Sequence, residues 1–581
     1  MDGTAWPSTY EAEYAASLED PQGYWMAQSR VLDWVRPPQA GFVLRPDGQA
    51  GWFPGGMLNL CANALDRHVA AGRGEQAALI WESPACGASD MFTYAALLAR
   101  VAGFAGGLRA AGVEPGDRVV ICLPPIPECF VAMLACARLG AVHVVVFAGF
   151  APAELARRIE DVDPKLVITA SATYRAGRAT PLLPGVREAT QRKLVVVQRP
   201  GAPALLGPAE SDFATLEYAE PIVPVPMPAT APLYILHTSG TTGRPKGVVR
   251  DTGGHGVVLA QSMRTVYGLG AGEVFFTTAD PGWVVGHSYG LYAPLLAGCA
   301  TVLAEGAVGR AVWDICARHR VAVLFTSPSV LRALRLAKAA PPPLPPLRRI
   351  FLAGERADAG DSAWAAHATG VKVLDHWWQT ETGSAMAGSF AGLGDYAAPG
   401  SSLRPAPGYE LCALDVQGQE LPPGHAGEIA VRLPLPPGCL TGMWGATPTC
   451  FSYSGYYRSF DYGVIAPDGG VSILSRTDDV LNIAGRRLGA GEIEAAIADH
   501  PGVMACAVIA APHRLRGEEP VGFVVPHPEA GAKLQPEIIA LVRERLGAFV
   551  GLRRIVLVEE LPRTKSGKII RQALSVQVVF D

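Results

Sequence analysis

Apolar and polar positions along the chain follow two rhythms that trade places repeatedly. Short apolar runs such as Val119–Leu123, Val142–Phe147 and Leu166–Thr169 have the length and β-branched content of strands. Between them, Glu128–Leu139 and Pro152–Asp161 read as helices. From about Ala77 to Ile235 this alternation predicts βαβ units and a mostly parallel sheet covered on both faces. It continues through Phe275–Thr278, Ala300–Leu303, Val321–Thr326 and Arg349–Leu352. The opening stretch, with Trp25 and Trp34 in an amphipathic pattern, predicts a helical lead-in, and Pro341–Pro346 a short stiff connector. After Gly408 the pattern shifts to short strands broken by Gly and Pro, among them Glu428–Leu433 and Val471–Leu474, which predicts a small β subdomain. Beyond Asp478 come a strand Val480–Ile483, a helix Glu492–Ala498, strands Ala505–Ala510 and Val521–Val525, an amphipathic helix Pro536–Leu546 and a basic tail. The expected class is therefore α/β. A large domain of parallel-sheet layers plus the β subdomain spans 1–476, and a small α+β domain spans 477–581, with the boundary near Arg476–Asp479.

Composition narrows the function classes. A chain of 581 residues exceeds what one core supports. A net charge of −4 without any basic block argues against a nucleic-acid partner. The window Phe130–Phe150 is long enough to span a bilayer, but Arg138, Gly140 and His143 interrupt it. It reads as a buried helix ending near Gly140 followed by a strand, and no membrane partner is expected. The N-terminus lacks the basic start and apolar core of a signal peptide. Eleven cysteines without a C-x-x-C pair or His clustering argue for reduced thiols, a cytoplasmic location and no structural zinc site.

The run Thr238-Ser-Gly-Thr-Thr-Gly-Arg-Pro-Lys-Gly-Val248 packs hydroxyls, glycines and two cations between apolar stretches. Such a loop can turn backbone N–H groups, hydroxyls and a lysine onto one polyanion. It lacks the Gly spacing of a P-loop. Five further segments follow in order: Phe351–Arg356, Asp375–Gly383, Gly455–Asp461, Ser475–Leu488 and Leu561–Arg571. Together the six resemble the ordered core motifs of the acyl-adenylate-forming (AMP-binding) superfamily, which includes acyl-CoA synthetases, luciferases and adenylation domains of peptide synthetases.

That resemblance implies a two-step reaction using ATP, Mg²⁺ and coenzyme A. A carboxylate attacks the α-phosphate of ATP and expels pyrophosphate; a thiol then attacks the acyl carbon and AMP leaves. Both partners of the first step are anions, so the site must neutralise charge and align them. The resemblance gives Thr238, Ser239, Gly240, Thr241, Thr242 and Lys246 to the phosphates. It gives Gly354, Glu355 and Arg356, in the segment that contacts adenine, and Asp375, His376, Trp377, Gln379 and Thr380 to the bound nucleotide. Glu381 is the implied protein ligand of Mg²⁺, a task suited to one hard carboxylate. Asp461 matches the vicinal ribose hydroxyls, and Arg476 and Arg487 add donors near the nucleotide. Lys568, the lysine after Ser-Gly, is the implied catalytic residue, bridging carboxylate and α-phosphate. Asp478 is similar to a hinge about which the small, mobile domain rotates, exchanging Lys568 for a face carrying Ala484 and Gly485. Acylation of Lys568 would remove the charge and offers a route to regulation.

Phe147, Ala148, Gly149 and the Tyr174–Arg178 stretch resemble the coenzyme A nucleotide site of short-chain acyl-CoA synthetases, with Arg175 and Arg178 suited to a 3′-phosphate. Trp52–Gly56, Gly282–Tyr289 and Leu433–Gly438 resemble the acetyl- and propionyl-CoA synthetase branch, and Val248–His255 and Leu352–Arg356 lean toward the propionyl type. By position, Val284, Val285, Ala353 and Trp378 line the acyl pocket, with Trp378 limiting it to a few carbons. Ala353, where the acetyl type has Val, favours propionate, with acetate or butyrate also admitted. Three positions depart from the pattern. Phe460 stands where relatives carry Gly or Ala and would crowd the ribose site, Gly290 would widen the pocket, and the loop 445–454 is short. Two rival readings are a carrier-loading adenylation enzyme and a nucleotide-binding regulator that has lost catalysis. Arg175 and Arg178 oppose the first; Lys568 and Glu381 oppose the second.

Overall fold

The computed structural model describes residues 9–46, 48–175, 177–238, 245–306, 309–355, 357, 359–397, 402–477, 480–483, 486–513, 517–546, 550–563 and 569–575. The chain forms two compact units. One takes in Met1–Tyr409 and Leu433–Thr449, the other Glu410–Arg432 and Cys450–Asp581.

Two large sheets organise the first unit, as the alternation of apolar runs predicts. One has eight strands in the order Glu210–Asp212, Lys193–Val197, Leu166–Ala170, Arg118–Cys122, Val142–Val145, Pro232–Thr238, Lys246–Asp251 and Gly442–Trp444. Its first six strands are parallel, and Lys246–Asp251 pairs antiparallel with the strands on both its sides. The other has nine, in the order Arg404–Pro405, Ala387–Gly388, Lys372–Trp377, Arg349–Leu352, Val323–Thr326, Val274–Thr277, Ala300–Ala304, Ala77–Ser83 and Ala88–Thr93. The six strands from Lys372–Trp377 to Ala77–Ser83 are parallel, with antiparallel strands at both edges.

Parallel strands covered on both faces need apolar residues at every position, and Val142–Val145 and Leu166–Ala170 are buried throughout. The helix Pro127–Leu139 is buried except at Glu128 and precedes the strand Val142–Val145, as expected for the Phe130–Phe150 window. Among the described residues no helix is long and apolar enough to cross a membrane. Helices Ala311–Arg318, Pro328–Leu336 and Ala359–Thr369 share a core with the nine-stranded sheet through Trp313, Leu331, Ala365, Phe276, Leu324 and Ile350. The N-terminal lead-in forms helices Tyr10–Glu19 and Pro21–Ser29, with Trp25 fully buried.

The second unit holds a four-stranded antiparallel sheet, Leu411–Leu414, Ala426–Arg432, Tyr456–Ile465 and Val471–Arg476. It also holds a five-stranded sheet formed by Arg486–Gly489, Val480–Ile483, Gly517–Pro526, Val503–His513 and Arg554–Leu557. Helices Ala490–Ala498 and Leu534–Leu546 bury Ile493, Ile497, Ile538 and Val542 in a core with Val508 and Val524 of that sheet. The strands expected as a β subdomain of the large domain thus belong to the second unit. Residues 433–449 return to the first, where Gly442–Trp444 forms an edge of the eight-stranded sheet. All eleven cysteines are free, and all but Cys86 and Cys506 are buried.

Candidate functional site

In open α/β sheets, ligands bind beyond the carboxyl ends of the strands, where the strand order reverses. In the nine-stranded sheet that reversal lies between Val274–Thr277 and Val323–Thr326. The carboxyl ends around it carry the segments expected to meet acid and nucleotide: Val284 and Val285, Ala353 to Glu355, and Trp378 to Glu381. Leu352 and Asp375 are register partners, so the ends leading to Ala353 and Trp378 are neighbours. Val285–Tyr292 is a π-helical segment, a form often found at functional sites. Its Tyr289 ring stands edge-on to Trp378, with centroids 5.4 Å apart. Nothing in the sequence pattern marks Tyr289 as a contact of Trp378, which lies 89 residues away. Gly290 does not widen this region. A Cβ there would point at Thr277 and Phe130, 3.3 and 3.6 Å away, because the next helical residue faces the sheet.

Two side chains expected at the nucleotide also make structural hydrogen bonds, one buried and one at a helix N-terminus. His376 is buried, with Nδ1 2.6 Å from the Leu352 carbonyl and Nε2 3.0 Å from the Tyr267 hydroxyl. Burial pushes its pKa down to about 4, so the ring is neutral near pH 7. Side chains alternate along Lys372–Trp377, and that alternation sends His376 inward while Asp375 and Trp377 stay half-exposed. The Glu355 carboxylate accepts the Ser329 N–H at 2.7 Å and so caps the helix Pro328–Leu336. Gly354 is exposed in a left-handed conformation. Arg356 lies outside the described residues.

Glu381 sits half-buried in a turn bound from below. The carbonyl of Glu381 accepts N–H groups from Leu440 at 2.8 Å and from the Arg250 guanidinium at 3.0 Å. Thr382 is buried, its hydroxyl bonded to the Gln379 and Ser384 carbonyls at 3.1 and 3.0 Å. The Thr380 carbonyl accepts from Arg250 as well. An arginine following two valines near the end of a buried strand was the one sequence signal for this contact. Among the described residues no group of three or more His, Cys, Asp or Glu could hold a metal. The donor set at Glu381, one half-exposed carboxylate, therefore suits Mg²⁺ held mainly by phosphate oxygens and water rather than an all-protein cage.

The run expected at the phosphates is flanked by the antiparallel strands Pro232–Thr238 and Lys246–Asp251 of the eight-stranded sheet. Thr238 and Lys246 are register partners, with the Thr238 hydroxyl 3.5 Å from the Lys246 carbonyl. Ser239, Gly240, Thr241 and Thr242 lie outside the described residues.

The segments expected at coenzyme A flank the carboxyl ends of Val142–Val145 and Leu166–Ala170. Phe147 packs on Phe150 and Trp283, with centroids 5.7 and 6.0 Å apart. Backbone meets backbone there: a Cβ on Gly282 would lie 2.8 Å from the Phe147 nitrogen. The residue at 282 must be glycine for the two segments to touch. Arg175 and Arg178 face each other across a two-stranded hairpin, and both are exposed. Among the described residues neither makes an ion pair. Like charges directly opposite destabilise a hairpin, and an anion bound between them reverses that. The Gly177 N–H donates to the Ala85 carbonyl at 3.0 Å and anchors the tip.

In the second unit, Asp461 is buried and its carboxylate lies 3.0 Å from Arg476. The register of Tyr456–Ile465 against Ala426–Arg432 shifts at Ser459 and Phe460, a β-bulge. Ser459 links the bulge to both partners: its hydroxyl donates to the Ile429 carbonyl at 2.5 Å and accepts the Asp461 N–H at 3.0 Å. Phe460 is left-handed with φ 56°, and its ring lies under the Arg458 guanidinium, 4.8 Å from the centroid. Arg458 in turn pairs with Glu428 at 2.6 Å. Lys568, Asp478, Ala484 and Gly485 lie outside the described residues. Arg487 pairs with Asn482 in the strand Arg486–Gly489, and its side chain is likewise outside them.

The AMP-binding enzyme family matches residues 66–442, the AMP-binding enzyme C-terminal domain residues 492–568, and the acetyl-coenzyme A synthetase N-terminus residues 10–64. The chain is 40% identical over 602 residues to acyl-CoA synthetase short-chain family member 3, mitochondrial, of Homo sapiens, covering 98% of this chain and 87% of that one. It is 38% identical over 593 residues to propionate–CoA ligase of Escherichia coli K12, covering 97% and 94%. Among solved structures it is similar to acetoacetyl-CoA synthetase from Streptomyces lividans, with TM-score 0.87, 26% identity, and coverage of 98% and 90%.

Proposed function

Since this chain belongs to the AMP-binding enzyme family, among its AMP-forming short-chain acyl-CoA synthetases, we propose that it joins a short carboxylic acid, propionate by preference, to coenzyme A at the expense of ATP. In the first half-reaction a carboxylate oxygen attacks the α-phosphorus, the bond to the bridging oxygen breaks, and pyrophosphate leaves. In the second, the coenzyme A sulfur attacks the acyl carbon, the bond to the AMP oxygen breaks, and AMP leaves. Mg²⁺ bound with ATP would neutralise phosphate charge, with Glu381 as its protein carboxylate. Lys246 and the run 239–244 hold the phosphates, and Asp461 with Arg476 takes the ribose. Lys568 stabilises the charge that builds on the α-phosphate.

One observation carries the reading: Phe147, in the segment suited to coenzyme A, packs on Gly282 and Trp283, in the segment that leads to the acyl residues. That contact supports a thiol carrier held at the edge of an acid pocket, as thioester formation requires. The exposed, facing Arg175 and Arg178 favour a free nucleotide 3′-phosphate over a carrier-protein arm, which has none. Ala353 and Trp378 support a pocket of a few carbons, and each methylene is worth only about 1–3 kcal/mol of discrimination. Acetate and butyrate are therefore expected as slower substrates.

Pyrophosphate release with acetate, propionate, butyrate, isobutyrate and acetoacetate, with and without coenzyme A, tests this directly. Fastest turnover on propionate, with a thioester formed only when coenzyme A is present, is the expected result. Release that is indifferent to coenzyme A would favour a carrier-loading enzyme, fastest turnover on acetoacetate would overturn the propionate preference, and no release with any acid would overturn the reading.

A further inference from the structure

We propose that Arg250 is a positioning residue that aims the Glu381 carboxylate; the inference rests on reading Glu381 as the metal carboxylate. Arg250 is fully buried and makes no ion pair among the described residues. A buried cation without a carboxylate is costly unless its N–H groups are satisfied, and here backbone satisfies most of them. The guanidinium donates to the carbonyls of Gly438 at 2.6 Å, Glu381 at 3.0 Å and Thr380, and its Nε donates to the Tyr234 hydroxyl at 3.2 Å.

These partners come from three separate stretches of the first unit. Arg250 and Tyr234 stand on neighbouring strands of the eight-stranded sheet. Thr380 and Glu381 follow the strand Lys372–Trp377 of the nine-stranded sheet, and Gly438 belongs to the returning segment 433–449. One planar fork thus ties the Glu381 turn to the strand whose first residue, Lys246, flanks the phosphate run. Gly383 interlocks with the fork. It is left-handed at φ 69°, and a Cβ on it would lie 2.8 Å from the Arg250 Cζ and 2.7 Å from the Gly438 oxygen. Lysine, with a single nitrogen, cannot span these acceptors. A metal-binding carboxylate is only as well placed as its support. Loss of the guanidinium should therefore loosen Glu381 directly, while the segment of Val285 meets the fork only through the Tyr234 and Ser288 hydroxyls, 3.4 Å apart.

The test measures the Mg²⁺ concentration that half-saturates acyl-AMP formation at fixed ATP, in full-length wild type, Arg250→Lys, Tyr234→Phe, Glu381→Gln and the Arg250→Lys/Glu381→Gln double variant. Arg250→Lys is expected to raise that concentration about tenfold. Tyr234→Phe, which keeps the ring and removes the hydroxyl that Nε and, at 3.4 Å, the Ser288 hydroxyl share, is expected to raise it about threefold. Conversion of supplied propionyl-AMP to the thioester should stay within about twofold of wild type in both, and the double variant should match Glu381→Gln. If Glu381→Gln leaves the Mg²⁺ dependence unchanged, the reading of Glu381 is wrong. If Glu381→Gln shifts it while Arg250→Lys and Tyr234→Phe do not, the positioning role of Arg250 is wrong. Should Arg250→Lys fail to fold, Tyr234→Phe decides alone.

Discussion

The Asp461 carboxylate is held 3.0 Å from the Arg476 guanidinium, and the same Arg476 nitrogen donates to the Ser459 carbonyl at 3.2 Å. The bulge at Ser459 and Phe460 therefore aims both members of the pair. Phe460 turns its ring toward Arg458 while holding a left-handed backbone that a bulky residue adopts at a cost.

That cost makes the consequence of Phe460→Gly unusual. A left-handed non-glycine residue is strained by about 1–2 kcal/mol, which offsets the lost ring contacts. Urea unfolding should show Phe460→Gly within about 1 kcal/mol of wild type, whereas Tyr457→Ala, at a neighbouring buried ring of ordinary φ, should cost about 3–5 kcal/mol. An equal loss in both would show that Phe460 carries no strain.

The neutral, buried His376 links stability to pH. Its pKa in the fold is about 4, below the ordinary 6.5, so the unfolded chain takes up this proton first as pH falls. The stabilisation is complete above pH 6.5 and is lost as pH falls toward 4, by about 2 kcal/mol at pH 5. Asn in place of His376 keeps a donor for the Leu352 carbonyl and cannot charge. His376→Asn should lose about 2 kcal/mol less than wild type between pH 7 and pH 5 in urea unfolding. Identical losses would mean that His376 titrates normally.

Chain-length selection is expected to follow residue 353. Ala353→Val should move the ratio of kcat/KM for propionate over acetate toward acetate by about 1–3 kcal/mol. Ala353→Trp should remove activity on both acids, since Ala353 is buried just beyond the strand Arg349–Leu352 and an indole fills the space around it. Unchanged kinetics in Ala353→Trp would put the pocket elsewhere.

The sequence made the layered α/β architecture legible because parallel strands covered on both faces must be apolar throughout, as Leu166–Ala170 is. It also made the order of the site segments legible, because glycines and hydroxyls at fixed spacing leave a trace. Side-chain direction was harder to read. His376 and Glu355 lie within matching motifs, and the bonds they make to the Leu352 carbonyl and the Ser329 N–H follow from strand alternation and a helix end that the motifs do not encode. Arg250 stayed hidden for another reason: its partners, Glu381 and Gly438, are remote in sequence and meet it only when the two sheets and the returning segment are built. The same distance in sequence hid the division of the chain, since the segment 433–449 belongs with the first unit and its Gly442–Trp444 completes a sheet there. Phe460 was visible as a departure, but the bulge that accommodates it depends on the register with Ala426–Arg432.

The two half-reactions, measured separately in wild type and in Lys568→Ala, test the adenylation-then-transfer mechanism most directly. Acyl-AMP formation from ATP and propionate should fall by about a thousandfold in Lys568→Ala, with supplied propionyl-AMP still converted to the thioester at close to the wild-type rate. Equal loss in both half-reactions, or full acyl-AMP formation without Lys568, would contradict that mechanism.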